Sequence, residues 1–426
     1  MVAGSLTEDH GRWSPRTRTR TLALASPGAL IAVGYVDPGN WATDLAAGSR
    51  YGCTLLFVVV LSGLVAMLFQ VLSARLGIAA NNDLAALTRE RYPRAAWLIW
   101  VAAEIAVVAT DLAEVLGSGI ALNLLFRIPL AAGVVLTGLD VLLLMVLERK
   151  GSRLVERVIT SLMLVVATGL GYELIVTHPA GRSILLGLVP TTRLLHDRAM
   201  LLAAVAILGA TLMPHNLYLH SRLAPQRFVA AREGGPRAAA RLAAADTVRS
   251  LAVAIVLNGA LMAIAAAAFH AHGFDDVATL GDAHRLLASL LGIKLAPLVF
   301  AVALLAAGQS ATMTATMAGQ VIMAGLLGIR WSAWKRRIVT RAFAIVPALA
   351  VIALCGEAST GRLLVLSQVV LSLQLPFAMV PLLLLTQDRR RMAMLVSPRW
   401  MQGLGWSSVA VVIAANAALV VTTIWP

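Results

Sequence analysis

The chain has 426 residues, of which 59% are hydrophobic and only 13% carry a charged side chain. Soluble domains carry roughly 25% charged residues, so this composition argues against an ordinary soluble protein and favours a bilayer environment. The formal net charge of +14 does not indicate a nucleic-acid partner. The basic residues stand in short blocks between apolar runs, which is the pattern of cytoplasmic membrane loops.

The apolar runs are long enough to cross a bilayer as helices, and they lack the alternation of barrel strands. They predict an all-α polytopic membrane protein with a polar tail at residues 1–21 and a first span that is retained rather than cleaved. The first and eighth spans exceed simple spanning length, as tilted or interrupted helices do. The predicted spans are 22–48, 54–78, 96–122, 129–147, 154–177, 199–221, 247–271, 295–327, 337–355, 361–386 and 405–425.

The basic residues also predict the orientation of the chain. Most of the 35 Lys and Arg residues lie on one side of the membrane if the N-terminus is cytoplasmic, and such residues favour the cytoplasm. An odd number of spans then places the C-terminus outside. We expect a bacterial inner membrane, with a cytoplasmic N-terminus and a periplasmic or extracellular C-terminus.

The first span contains Asp37, Pro38, Gly39 and Asn40 deep inside an apolar run. A charged residue there predicts a functional site, because its burial in hydrocarbon is costly. Pro38 has no N–H to donate, so the carbonyl of Gly34, four residues earlier, loses its helical partner. We predict a local unwinding that is tolerated only where it lines a cavity.

The sixth span repeats this arrangement with Met213, Pro214, His215 and Asn216, and Pro214 frees the carbonyl of Ala210. Two ordinary proline kinks are the alternative interpretation. Paired breaks in the first and sixth spans are typical of inverted-repeat transporters, which bind substrate where unwound helices meet. We therefore predict two inverted five-helix repeats, 22–177 and 199–386, followed by an eleventh helix at 405–425.

The two breaks offer a carboxylate at Asp37, an amide oxygen at Asn40, backbone carbonyls at Gly34 and Ala210, and a thioether at Met213. Oxygen ligands suit hard cations, whereas a thioether is soft and offers little to Mg²⁺ or Ca²⁺. The mixture favours a transition metal such as Mn²⁺ or Fe²⁺, although Met213 as a packing residue is a second interpretation. A single carboxylate suits transient binding.

Glu104, Asp111 and Glu114 share the third span. At about 100° per residue the three acids lie within about 80° of one another around the helix. Acidic side chains are costly to expose to lipid, so we expect this face to point into the protein. They form either a proton relay or ion pairs with buried basic groups, for which Arg341 is the candidate partner. His215, next to the metal-capable groups, is a further candidate for proton exchange.

Five stretches of the sequence resemble the Nramp family of proton-coupled divalent metal transporters, and the resemblance covers the chain after its N-terminal tail. They are DPGN at 37–40, TDLAEVLG at 110–117, MPHN at 213–216, GQSATMTATMAGQ at 308–320 and SQVVLSLQLPFA at 367–378. The resemblance implies a LeuT-type fold without a cofactor. It also implies import of Mn²⁺, and of Fe²⁺, Cd²⁺ and Co²⁺, with protons by alternating access.

The resemblance further implies a set of metal ligands. These are Asp37, Asn40, Met213 and the Ala210 carbonyl, with the Gly34 carbonyl and Gln368 joining in some conformations. Many relatives have Ala at the position of Gly34, and we expect little change from this difference because only the carbonyl is used. Ala324 and Met317 also depart from the family pattern, so no role is assigned to them.

Three other functions compete with this interpretation. A sodium-coupled symporter of organic solutes could share the fold, but it has no need for Asp37 facing Met213. A magnesium-transporting branch of the same superfamily lacks the methionine of MPHN. A membrane enzyme is disfavoured because HExxH, GxSxG and Walker sequences are absent from the chain.

The expected partners are a divalent metal ion, protons and the lipid bilayer. The sequence does not determine the oligomeric state, and it is compatible with a monomer.

Overall fold

The computed structural model describes residues 26–139, 152–228, 234–275, 277, 279–291, 295–329 and 331–424, and these ranges contain helices and no strand. We number the α-helices in chain order. They are α1 Pro27–Gly34, α2 Pro38–Tyr51, α3 Leu56–Ala80, α4 Leu84–Arg91, α5 Ala96–Phe126, α6 Leu130–Leu136, α7 Ser152–Thr177, α8 Gly181–Gly187, α9 Arg198–Leu212, α10 Pro214–Arg227, α11 Gly235–Ala268, α12 Leu280–Leu291, α13 Leu295–Leu327, α14 Ala333–Cys355, α15 Thr360–Gln387, α16 Arg389–Met392 and α17 Arg399–Ile424.

Both predicted breaks are present. The first predicted span consists of α1 and α2, and the sixth consists of α9 and α10, which meet at Met213. Pro38 and Pro214 each stand at the first position of the second half-helix, where proline is favoured because the N–H of that position makes no hydrogen bond within its own helix. The proline therefore ends one helix and begins the next.

Several boundaries differ from the predicted ones. Helix α11 begins at Gly235 rather than at 247, because the preceding stretch is rich in Ala and Arg, which are strong helix formers. The stretch between the predicted seventh and eighth spans contains helix α12. Of the predicted fourth span, 129–147, the structure describes α6 and a short 3-10 turn at Thr137–Leu139. The rest of that span, and the predicted tail at 1–21, lie outside the described residues.

Nine helical stretches in the described ranges are long and apolar enough to cross a membrane, and one of them, Pro38–Ala80, runs through two predicted spans. Burial separates the centre of the bundle from its periphery. In the most apolar windows of Ala96–Phe126 and Arg198–Arg227, 78% and 83% of residues are buried, against 22% for Arg399–Ile424. The third and sixth predicted spans therefore form the interior, where the second break lies.

Glycines allow the closest approaches in this interior. A Cβ atom at Gly209 of α9 would overlap the backbone carbonyl oxygen of Gln368 in α15, and a Cβ at Gly117 of α5 would overlap the ring of Pro38. Each glycine thus lets a neighbouring helix reach the region of a break. These contacts hold the two breaks against the third and tenth predicted spans.

We expect Gly209→Ala to destabilise the protein, because the new methyl group must displace backbone atoms of α15. Overpacking of this kind costs about 1–3 kcal/mol. Gly171→Ala is the matched control, since a Cβ at Gly171 meets nothing within 4 Å and alanine favours helix formation. Thermal unfolding of the purified variants in detergent measures the difference. Equal melting temperatures for the two variants would contradict the packing described here.

Candidate metal-binding site

Asp37 lies between the two halves of the first span. It caps the N-terminus of α2, and its Oδ1 atom accepts hydrogen bonds from the backbone N–H of Asn40 at 2.8 Å and from the Asn40 side-chain nitrogen at 2.9 Å. Its Oδ2 atom is buried and has no hydrogen-bond partner among the described residues. A buried carboxylate oxygen in this state provides a ligand for a cation.

Asn40 joins the first break to the second. Its Nδ2 atom donates to the Ala210 carbonyl at 3.1 Å as well as to Asp37. The Ala210 carbonyl is the one that Pro214 deprives of a helical partner. On its other side, the Asn40 Oδ1 atom accepts a longer hydrogen bond from Asn258 of α11, at 3.4 Å. One amide therefore connects three elements around the site.

Met213 links the halves of the sixth span in a left-handed backbone conformation, with φ 39° and ψ 84°. Such a conformation is unfavourable for a residue with a side chain, so the surroundings must hold it. The side chain is fully buried, and its sulfur lies 3.3 Å from the Nδ2 atom of Asn216. The thioether is thus fixed inside the break.

Gln368 and Gly34 complete the predicted ligand set. A Cβ at Gly39 would overlap the Gln368 amide, so this side chain lies directly on the first break, and its buried Oε1 atom has no partner among the described residues. A Cβ at Gly34 would lie 2.6 Å from Asn216 Nδ2 and 3.3 Å from Met213 Sδ. An alanine at position 34 therefore requires the Asn216 amide to shift.

The donor set differs from a conventional metal centre. No group of three or more His, Cys, Asp or Glu side chains in the described ranges is arranged to hold a metal ion. The site instead combines one carboxylate, backbone carbonyls, amide oxygens and a thioether. The C-terminal ends of α1 and α9 meet there, and their carbonyls carry partial negative charge. Such a site attracts a cation without the density of charge that would retain it permanently.

The predicted metal-site residues are closed off from both sides of the bundle. All are buried, and the exposed fraction of the side chain is 0% for Asp37, Met213 and Gln368. An ion can therefore reach them only if helices move apart. The arrangement fits an occluded state of a carrier rather than an open channel.

Two of the three acids in the third predicted span contact Arg341. The Nη1 atom of Arg341 lies 3.4 Å from Asp111 Oδ1 and 3.8 Å from Glu114 Oε2, and its Nη2 atom donates to Thr312 at 3.2 Å. The predicted partner is thus in place for these two acids. All three charged side chains are almost fully buried, so the pairing offsets the cost of their desolvation.

Glu104 pairs with a different arginine. Both of its carboxylate oxygens accept from Arg336 Nη2, at 3.0 and 2.9 Å. The predicted ninth span, 337–355, begins one residue after Arg336. Helix α14 in fact begins at Ala333 and carries Arg336 into the bundle.

His215 faces the third predicted span. Its Nδ1 atom lies 3.5 Å from the hydroxyl oxygen of Thr110, the residue before Asp111. A second histidine, His220, contacts Gln70 Oε1 at 2.9 Å, and Gln70 donates to the Tyr35 hydroxyl at 3.0 Å. Tyr35 follows α1 and His220 lies in α10, so their contacts with Gln70 link both broken spans to α3. Sequence reasoning missed Gln70, since a single glutamine in an apolar span carries no signal of its partners.

Comparison with known proteins identifies the group to which this chain is related. The family described as natural resistance-associated macrophage protein-like (Nramp) matches residues 28–422. A protein of Ralstonia nicotianae named divalent metal cation transporter MntH is 49% identical over 402 residues, which are 94% of this chain and 91% of that protein. A protein of the same name from a Nostoc species is 47% identical over 95% of this chain and 92% of its own length.

Solved structures agree with this relationship. The manganese transporter of Eremococcus coleocola, in complex with an aromatic bis-isothiourea compound, is 36% identical, with a TM-score of 0.85 over 95% of this chain and 87% of its own. MhsT in complex with L-phenylalanine has a TM-score of 0.59 at 18% identity over 93% of this chain and 97% of its own. That second likeness concerns the fold alone and agrees with the expected LeuT type. The chain belongs to the Nramp family of multi-pass membrane transporters.

Proposed function

We propose that this protein imports divalent transition metal ions, Mn²⁺ foremost and also Fe²⁺, Cd²⁺ and Co²⁺, by proton-coupled alternating access. The observation that carries the proposal is the junction of the two breaks. There, the unpartnered Asp37 Oδ2 atom lies in the same connected group as the Ala210 carbonyl. The names of the relatives from Ralstonia nicotianae and Eremococcus coleocola support the choice of substrate.

The proposed first ligands are Asp37, Asn40, Met213 and the Ala210 carbonyl, while the Gly34 carbonyl and Gln368 join as the helices move. Asn40 donates its amide nitrogen to Asp37 and Ala210 in this structure. An arriving cation replaces those hydrogen bonds, and rotation of the amide then presents its oxygen. Asn40 thus links α2 to α9 until the bound ion connects the same two half-helices.

Selectivity follows from the softness of the Met213 sulfur. Mg²⁺ and Ca²⁺ gain little from a thioether, whereas Cd²⁺ gains the most and Fe²⁺ and Mn²⁺ gain less. Met213 is fully buried beside the site residues, so its sulfur competes with no bulk water. This arrangement favours transition metals over a magnesium-transporting function and over a sodium-coupled symport of organic solutes.

The proposed proton route begins at His215 or Asp37 and continues along the third predicted span through Asp111 and Glu114, with Glu104 farther along. His215 contacts this helix at the Thr110 hydroxyl, and Arg341 lies within 4 Å of both Asp111 and Glu114. A proton arriving on either carboxylate weakens its ion pair with Arg341. This change couples the protonation of α5 to the position of α14.

We also propose a bacterial inner-membrane location, with a cytoplasmic N-terminus and an external C-terminus. The two repeats, 22–177 and 199–386, with the eleventh helix at 405–425, supply the inverted halves that alternating access requires. The distribution of basic residues supports this orientation. Metal then approaches Asp37 from outside and leaves towards the cytoplasm.

Asp37→Ala is expected to reduce Mn²⁺ uptake into proteoliposomes by at least about 10-fold, because the only full negative charge among the proposed ligands is lost. Uptake is measured with an inside-negative potential and an acidic external buffer. Asp282→Ala is the control, since this partly exposed carboxylate pairs with Arg285 within α12 and is not among the proposed ligands. Undiminished transport by Asp37→Ala would overturn the site.

Met213→Ala is expected to relax discrimination against Mg²⁺ and Ca²⁺, because removal of the sulfur leaves only oxygen ligands. Competition of each ion with Mn²⁺ uptake measures the effect. Met379→Ala controls for the loss of a buried methionine, since Met379 is also fully buried and is not among the proposed ligands. The thioether argument fails if both variants retain the selectivity of the unaltered protein.

Glu114→Gln is expected to uncouple proton uptake from metal uptake, because glutamine keeps the shape of the side chain but cannot take a proton. A pH-sensitive dye inside proteoliposomes reports metal-driven acidification, and isothermal titration reports Mn²⁺ binding. We expect acidification to fall severalfold while Mn²⁺ affinity changes little. Glu90→Gln, which alters a surface pair with Arg391, serves as the control; full acidification in Glu114→Gln would rule out this route.

A further inference from the structure

Asn216 contacts Met213 at two points. Its backbone N–H donates to the Met213 carbonyl at 3.1 Å, and its side-chain Nδ2 atom lies 3.3 Å from the Met213 sulfur as a donor. The asparagine side chain is fully buried. Asn216 therefore holds both the strained backbone of Met213 and the atom through which Met213 would bind a metal.

A methionine sulfur needs such a constraint to act as a selective ligand. The side chain has three rotatable bonds and adapts readily to its surroundings, so an unrestrained thioether loses conformational freedom when it binds an ion. A thioether sulfur has two lone pairs, and the N–H of Asn216 occupies one of them. The other remains to face the ion from a fixed position.

Gly34 provides the space for this contact. A Cβ at that position would lie 2.6 Å from Asn216 Nδ2, 3.6 Å from Asn216 Cγ and 3.3 Å from the Met213 sulfur. A side chain at position 34 therefore requires the Asn216 amide to shift relative to the Met213 sulfur. Gly34, Met213 and Asn216 form a single contact across the two breaks.

The oxygen of the Asn216 amide gives an independent indication of a ligand. Asn216 Oδ1 is buried and has no hydrogen-bond partner among the described residues. An unsatisfied buried acceptor is costly, and a water molecule carried on an incoming ion satisfies it. The amide thus presents a donor to the sulfur and an acceptor to the hydrated substrate.

We propose that Asn216 is a positioning residue that determines specificity for soft metal ions, by holding the Met213 thioether in place in the space that Gly34 leaves. This inference rests on the proposed metal-ion function. Cd²⁺ depends on sulfur ligation more than Mn²⁺ does. The ratio of the Cd²⁺ affinity to the Mn²⁺ affinity therefore reports the position of the sulfur. A general loss of stability lowers both affinities and leaves their ratio unchanged.

The test is isothermal titration of the purified full-length protein with Cd²⁺ and with Mn²⁺. Asn216→Ala is expected to weaken Cd²⁺ binding by about 3- to 10-fold, the range for loss of one hydrogen bond, and to change Mn²⁺ binding by less than about 2-fold. In a Met213→Ala background the same substitution should leave the ratio unchanged, because coupled residues are not additive. Asn416→Ala, which removes a buried amide bonded to Ser372 in another part of the bundle, should leave the ratio as it is.

Gly34→Ala gives a second test if Asn216→Ala does not fold. It retains Asn216 but displaces its amide, so it should lower Cd²⁺ affinity in the same direction, and it should have no further effect on the ratio once Asn216 is alanine. An unchanged ratio in either folded single variant overturns the inference while leaving the proposed function intact. Failure of the unaltered protein to bind either ion overturns the proposed function itself.

Discussion

A proline inside a membrane helix leaves a carbonyl without its N–H partner, and hydrocarbon supplies no replacement. The arrangement of this protein's centre depends on that constraint. Pro214 frees the Ala210 carbonyl, and the structure satisfies it with the Asn40 amide, which also binds Asp37. The defect in one helix is thus repaired by a side chain from the other broken helix. This exchange brings together groups that lie 170 positions apart.

A site built in this way has few charges and many dipoles. Asp37 supplies the only carboxylate among the proposed ligands, and the C-terminal ends of α1 and α9 supply partial negative charge. A carrier must release what it binds, and a dense cluster of carboxylates would oppose release. The charged groups instead lie along α5, where Asp111 and Glu114 face Arg341 and Glu104 faces Arg336. The proposed metal ligands therefore adjoin the proposed proton route, and Asp37 belongs to the first and is one of two starting points for the second.

Packing then determines how well each ligand is held. Gly209 and Gly117 let α15 and α5 approach the breaks, and Gly34 leaves space for the Asn216 amide beside the Met213 sulfur. Met213 itself adopts a left-handed backbone that glycine would accept more easily than it does. A non-glycine residue held in this conformation supports the proposed role for the Met213 sulfur, because strained backbones cluster at functional sites.

Residue types and their spacing were enough to predict the class of protein, the two breaks and the types of atom that they expose. Hydropathy and a missing N–H are local properties, so the first span, Pro38, Pro214 and the acids of α5 could be predicted from them. The partners of these residues depend on tertiary packing. Arg336 lay just outside the predicted ninth span because span ends are poorly defined by hydropathy, and its pairing with Glu104 joins residues 232 positions apart. The contact of Asn216 with Met213 and the restriction on Gly34 likewise depend on how the half-helices pack, which no local pattern encodes.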